Sequence, residues 1–294
     1  MKLYAPKYYG DFKCIADKCE HNCCTGWEID IDDQTLKKYK RLNGGYGDAV
    51  KDSISTNGTP HFILGDKDRC PHLNENGLCK IITCLGEEYL CDICKNHPRF
   101  FNYTKVAEVG IGMSCPEAAR VILSSPNYLV FYEIGDIDAE AESTDFDGVS
   151  ERGRVYEILL DDSLSIEERL ENIQKKYSIS IEDDEYWLEL LETLEYLDYK
   201  HKKLFMNYTS SHRPDIDKAY LERFLAYLIY RHCTEALDIA DFALRLKFCL
   251  FCEHLFASLI YTQKAHTLGE VARLASIISE EIEYSEDNTF SLMY

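Results

Sequence analysis

The sequence predicts a mostly α fold in two parts, an irregular cysteine-rich metal or iron–sulfur module with short strands followed by an all-α helical bundle. Three observations predict it. Ten of the thirteen cysteines fall in the first 115 residues, six of the seven prolines fall by residue 126, and beyond residue 149 apolar side chains recur at helical spacing past a single proline.

In the first part, residues 34–42 have the pattern of a short helix, 61–64 and 106–111 those of short strands, and 116–123 that of a helix starting on Pro116. Glycine clusters such as Asn43-Gly44-Gly45-Tyr46-Gly47 separate these pieces, as expected of loops stapled by metal. Residues 135–148 are acidic and small, without apolar periodicity, and read as a solvated linker or surface loop. The expected division is therefore 1–134 for the cysteine-rich module, 135–148 for the linker and 149–294 for the helical domain. In the last of these, helices are expected at about 149–160, 165–177, 182–208, 215–233, 235–264 and 267–284. Ser165 with Glu168, and Thr267 with Glu270, have the spacing of capping boxes.

The chain has 294 residues, 46% of them hydrophobic, enough to bury a substantial core. No apolar segment resembles a secretory leader or a membrane span, and a cytoplasmic location is expected. In a reducing compartment thirteen cysteines are poor disulfide candidates, which leaves metal binding or catalysis. Charge is uneven. Residues 1–120 carry 16 Lys and Arg against 17 Asp and Glu, which leaves 16 against 35 for the rest of a chain whose formal charge is −20. Such a surface repels phosphate backbones and anionic lipid, so nucleic acid and membrane are poor partners, while a lysine-bearing protein is permitted.

The cysteines occur as Cys14-x4-Cys19-x3-Cys23-Cys24, as Cys70-Pro71-His72-Leu73-x5-Cys79, as Cys91-Asp92-Ile93-Cys94, and as Cys115 in Met113-Ser114-Cys115-Pro116. Two-residue spacing lets two thiolates turn onto one tetrahedral ion, and proline directly after a ligand cysteine is a feature of ferredoxin loops. Nine thiols exceed the four that one zinc ion uses, which favours an iron–sulfur cluster or two metals. Structural zinc and inert or redox thiols stay open as alternatives. Cys84 is surplus to the series, and Cys233, Cys249 and Cys252 lie in apolar helical sequence.

The series C-x4-C-x3-CC-x-GW, CP-x-L-x5-C-x-I, LGE-x2-LC-x2-C-x3-PR and SCPEAAR resembles the flagellin lysine-N-methylase family over residues 10–125. That family shares its cysteine framework with a broader group of zinc- or iron-chelating proteins. The resemblance implies S-adenosylmethionine-dependent methylation of lysine side chains on flagellin, in a protein carrying a [4Fe-4S] cluster. It places Cys14, Cys19, Cys23, Cys24, Cys70, Cys79, Cys91, Cys94 and Cys115 at the family's cysteine positions. The chain departs from the family at His97, where a tyrosine is expected before Pro98-Arg99.

The residues themselves say less about the methyl donor. Glu108-Val109-Gly110-Ile111-Gly112 is the nearest approach to a glycine-rich nucleotide turn, so Gly110 and Gly112 are the cofactor-binding candidates, with a simple turn before Cys115 as the alternative. Attack on a methyl group needs a neutral lysine amine. On the expected helix 215–233, Glu222, Tyr227 and Arg231 are the catalytic candidates, with ion pairing and packing as the alternative for the same residues. The competing function is non-enzymatic: an iron–sulfur or zinc module for metal holding, redox sensing or protein docking.

Overall fold

The computed structural model of the chain describes residues 1–19, 23–140 and 145–294. Two compact units divide the chain: Lys13–Pro98 forms one, and Met1–Phe12 with Arg99–Tyr294 forms the other. In chain order, β1 (Lys2–Pro6) belongs to the larger unit. The smaller unit holds α1 (Asp33–Lys40), α2 (Tyr46–Asp52), β2 (Ile54–Ser55), β3 (His61–Phe62), α3 (Lys80–Leu85) and α4 (Asp92–Asn96). The larger unit resumes with β4 (Arg99–Tyr103), β5 (Ala107–Ile111), α5 (Pro116–Ser124) and β6 (Phe131–Asp136). It continues as helices α6 (Gly148–Leu159), α7 (Ile166–Tyr177), α8 (Asp184–Thr193), α9 (Tyr199–Phe205), α10 (Ala219–His232), α11 (Ile239–Gln263), α12 (Leu268–Ile278) and α13 (Glu286–Met293).

In the smaller unit little regular structure is available, so single side chains close the loops. The Asp32 carboxylate accepts from Thr35 N at the start of α1 and, through its other oxygen, from Asp92 N at the start of α4 (2.8 and 3.0 Å). One side chain thus caps two helices, satisfying donors that a helix start leaves open. Cys70 N donates to Cys24 O (2.8 Å) and Gly26 N to Asp68 O (3.0 Å), which joins the first cysteine segment to the second. Ile29, Ile31, Leu36, Tyr39, Val50, Phe62, Leu73 and Ile81 pack around buried Cys70 and Cys91.

In the larger unit the sheet runs β4-β5-β1-β6, with β1 parallel to β5 and the other pairs antiparallel. Its centre packs on α10. Gly110 of β5 lies under the rings of Phe100 and Tyr230, and an added Cβ there would stand 2.3 Å from the Phe100 ring. α11 carries buried apolar side chains on most of its faces and is the central helix of the core, with Phe242, Leu246, Phe248, Leu250, Phe251, Leu255, Phe256 and Leu259 at 0% exposure. Each such side chain contributes about 1.5–3 kcal/mol of transfer free energy.

The chain is mostly α, as its sequence predicts, and both expected capping boxes form: Ser165 with Glu168, and Thr267 with Glu270. The unit boundaries differ from 134 and 149. β4, β5, α5 and β6 join the helices because their inner faces carry Phe100, Ile111, Val121, Ile122 and Phe131 into the helical core. The larger unit is accordingly a helical body with a four-stranded sheet rather than an all-α bundle. Of the expected linker 135–148, the first residues continue β6, residue 148 begins α6, and 141–144 lie outside the described residues.

The helix expected over 182–208 is interrupted between α8 and α9. There the Glu281 carboxylate accepts from Leu197 N and Asp198 N, at 2.8 and 3.1 Å, and Asn288 Oδ1 accepts from Glu195 N at 3.0 Å. Side chains from the end of the chain take the place of helical carbonyls.

Candidate functional site

Six thiols of the smaller unit, those of Cys23, Cys24, Cys70, Cys79, Cys91 and Cys94, share one electrostatic neighbourhood. Cys24 is hydrogen-bonded to Cys23, and that bond, burial and the nearby Cys70 and Cys79 raise its pKa. Cys91 and Cys94 bond to each other at the start of α4, which lowers the first and raises the second. Cys94 also feels Cys24 and Cys70. Burial raises Cys70, and Cys79 and Cys91 add to it. Cys24, Cys70 and Cys94 thus resist ionisation, while Cys91 ionises more readily than an ordinary thiol.

The other candidates stand differently. Cys14 is exposed and accepts from Ala16 N (3.4 Å), Cys19 is half-buried, and Cys115 belongs to the larger unit, at the residue before α5. Among the described residues, no group of three or more His, Cys, Asp or Glu side chains is placed to hold a metal ion. Thiols are the soft donors that iron–sulfur and zinc sites use, but among the described residues their placement forms no coordination shell.

Beside this cluster His72 is held between Tyr46 and Ser53 and meets the edge of Phe62. Ser53 Oγ donates its one proton to Val50 O (2.7 Å). At the 2.9 Å contact with Ser53 the ring Nε2–H must therefore donate, leaving Nδ1 to accept from Tyr46 O–H at 2.7 Å. Burial, aided by Lys80, pushes the His72 pKa down to about 4, consistent with this neutral tautomer.

Of the catalytic candidates on α10, Tyr227 and Arg231 meet and Glu222 stands apart. The Tyr227 hydroxyl accepts from Met113 N (3.1 Å) and Arg231 Nη1 (2.9 Å), and donates to the Glu283 carboxylate at 3.0 Å. Arg231 Nε lies 3.4 Å from Glu283 Oε1, and its guanidinium covers the rings of Phe100 and Tyr284. His232 Nε2 reaches the same Glu283 oxygen at 2.7 Å.

Burial raises the Glu283 pKa, but the charge of Arg231 and the bond from His232 outweigh it and hold the carboxyl down at about 2. Burial also lowers His232, against the pull of Glu283. Glu222 instead accepts from Tyr128 O–H and, at 2.7 Å, from Arg169 Nη1.

Sequence reading missed Glu283 and His232. Glu283 ends a π-helical turn, Ser279–Glu283, that continues α12, a geometry frequent at functional sites. Its one trace in the sequence is the run Glu280-Glu281-Ile282-Glu283 following an apolar helix.

The cofactor candidates lie on or next to β5. The bare face of Gly110 is filled by Phe100 and Tyr230, so packing accounts for the glycine, while Gly112 O accepts from Cys115 N at 3.4 Å. In the smaller unit a shallow surface depression is lined by Glu28, Ser55, His61, Phe62, Ile63 and Leu64. No helix among the described residues is long and apolar enough to cross a membrane.

No protein-family model matches the chain, and no solved structure matches it. Curated relatives do. Lysine-N-methylase of Salmonella choleraesuis (strain SC-B67) is 30% identical over 144 residues, covering 44% of this chain and 34% of the relative. Lysine-N-methylase of Salmonella typhimurium (strain LT2) matches to the same extent. Flagellar biosynthetic protein FliU of Salmonella muenchen is 29% identical over 144 residues, 80% of its length. The match spans about a third of the length of the two lysine-N-methylases. The chain is thus similar, over somewhat less than half its length, to proteins named for lysine N-methylation and flagellar biosynthesis, in agreement with the flagellin lysine-N-methylase resemblance carried by its cysteine series.

Proposed function

We propose that the protein is a lysine N-methyltransferase that uses S-adenosylmethionine to methylate flagellin or another lysine-bearing protein. The observation that carries this reading is the 30% identity to curated lysine-N-methylases. The strongly acidic larger unit supports a lysine-bearing substrate, since it attracts cationic side chains.

Cys24, Cys70, Cys79, Cys91 and Cys94 are the thiols of the smaller unit that would hold the iron–sulfur cluster or zinc, with Cys14, Cys19, Cys23 and Cys115 completing the family series. Bound metal would supply cross-links between loops that share a small apolar core. The methyl donor enters through the family likeness, with Gly110 on β5 and Gly112 just after it as its candidate residues.

Transfer requires the lysine ammonium to lose a proton before its nitrogen attacks. Glu222 is the most open of the three α10 candidates, its side chain 20% exposed against 13% for Arg231, and takes that proton in this reading. Arg169 and Tyr128 hold the Glu222 carboxylate in place. Tyr227 and Arg231, engaged by Glu283, fix α10 against the turn after α12 and position Glu222 on the same helix.

The test is anaerobic reconstitution with iron and sulfide, followed by incubation with labelled S-adenosylmethionine and flagellin. Label on lysine supports the enzyme. A stable metal centre without transfer or donor binding supports the non-enzymatic metal module instead.

A further inference from the structure

β6 is the terminal strand of the four-stranded sheet, and among the described residues no strand pairs with its outer edge. Natural edge strands are commonly blunted with lysine or proline, but β6, Phe-Tyr-Glu-Ile-Gly-Asp, has neither. The Phe131 ring turns inward, 5.2 Å from the Tyr230 ring and under the Arg152 guanidinium. Strand alternation places Val130 and Tyr132 on the opposite side, at 50% and 37% exposure. Pairing with β1 shifts between Leu3 and Tyr4, which leaves Ile134 as the extra residue of a bulge, 37% exposed, and interrupts the ladder before it resumes at Gly135 and Asp136.

This apolar stripe is flanked by Glu133, Asp136, Asp138 and Glu140, against which Lys2 is the paired cation, 2.6 Å from Glu133 and 3.7 Å from Asp136. The whole unit carries 21 Lys and Arg against 38 Asp and Glu. An open edge with exposed apolar side chains and an acidic margin has the chemistry that receives an extended basic segment by strand addition.

We propose that β6 docks a lysine-bearing segment of the substrate in extended form, as a short added strand along residues 131–133. The choice of lysine rests on the methyltransferase reading. The strand also packs on the helix that carries the candidates named there, because Phe131 meets Tyr230 of α10. Backbone hydrogen bonds give the attachment, Val130 and Tyr132 supply cross-strand contacts, and the carboxylates select a cationic partner.

Amide hydrogen exchange of the full chain tests this, with a synthetic peptide alternating valine and lysine as the probe and no methyl donor present. Exchange at Phe131 and Glu133 is expected to slow with this peptide but not with its valine–glutamate counterpart, and Tyr132→Lys, which removes the ring and adds a like charge, is expected to weaken binding roughly fivefold. Val130→Lys provides a second variant, each checked by circular dichroism.

Three results overturn the proposal: peptide binding with β6 exchange unchanged, equal protection by the glutamate peptide, or protection that grows with protein concentration alone, which means that two copies pair edge to edge. Protection of β6 without any methyl transfer from labelled donor removes the enzyme reading and leaves the docking strand. Transfer that proceeds with unaltered KM in Tyr132→Lys removes the docking strand and leaves the enzyme.

Discussion

The Arg152 guanidinium grips both carboxylate oxygens of Glu108, at 2.8 and 2.7 Å, with each side chain 4% exposed. The pair ties α6 to β5, and Arg152 also donates to Thr234 (2.6 Å) and lies over the rings of Phe131, Tyr156 and Tyr230. Removing one partner strands the other charge in the core. Glu108→Ala is expected to cost about 3–5 kcal/mol in urea unfolding. Replacing both, Glu108→Leu with Arg152→Met, is expected to cost far less than the single change, because no unpaired charge remains.

Gly110→Ala tests the packing account of β5. The new methyl would meet Phe100 at 2.3 Å and Tyr230 at 2.9 Å. The expected loss is about 1–3 kcal/mol in thermal or denaturant unfolding, partly recovered by Phe100→Leu. An unchanged Tm with weakened binding of S-adenosylmethionine would instead assign the glycine to the cofactor.

Acid is expected to weaken the larger unit in two stages. His232 has a folded pKa below its ordinary 6.5, so the unfolded chain binds the extra proton first and stability declines as pH falls through and below 6.5. Glu283, held at about 2 against an ordinary 4.5, contributes stability that is complete above 4.5 and lost as pH falls toward 2, on the order of 3 kcal/mol in all. Glu283→Gln is expected to flatten the lower stage. An unaltered pH profile in that variant would refute the assignment.

Cysteine replacements divide the thiols. Cys70→Ser is expected to remove most bound iron or zinc, whereas Cys233→Ser is expected to leave metal content unchanged. Cys233 faces Cys249 at 3.8 Å in the helical core, where both thiols are fully buried among apolar side chains. Elemental analysis of anaerobically purified protein measures this, and equal loss from both variants would erase the division.

What the sequence made legible was local. Ser165 with Glu168 and Thr267 with Glu270 form their capping boxes because both partners lie within one turn. β1 and β6 escaped because they pair across more than 120 residues, and the three successive exposed positions Tyr132, Glu133 and Ile134 give no alternation to detect. The break between α8 and α9 depends on Glu281 and Asn288, far along the chain. Residue type alone marked the cysteine set. Glu283 and His232 went unread because a buried acid and its imidazole partner announce themselves only once α10 meets the π-helical turn.

The order of strands also bears on how the molecule is made. β1 leaves the ribosome before its neighbours β5 and β6, which begin at Ala107 and Phe131, so it must wait while Lys13–Pro98 is synthesised. That intervening stretch has its own apolar centre and can condense during the delay, before the sheet exists. Condensation of the small unit is thereby separated in time from closure of the body, and a nascent chain with Pro98 clear of the ribosome would expose the small unit's whole sequence.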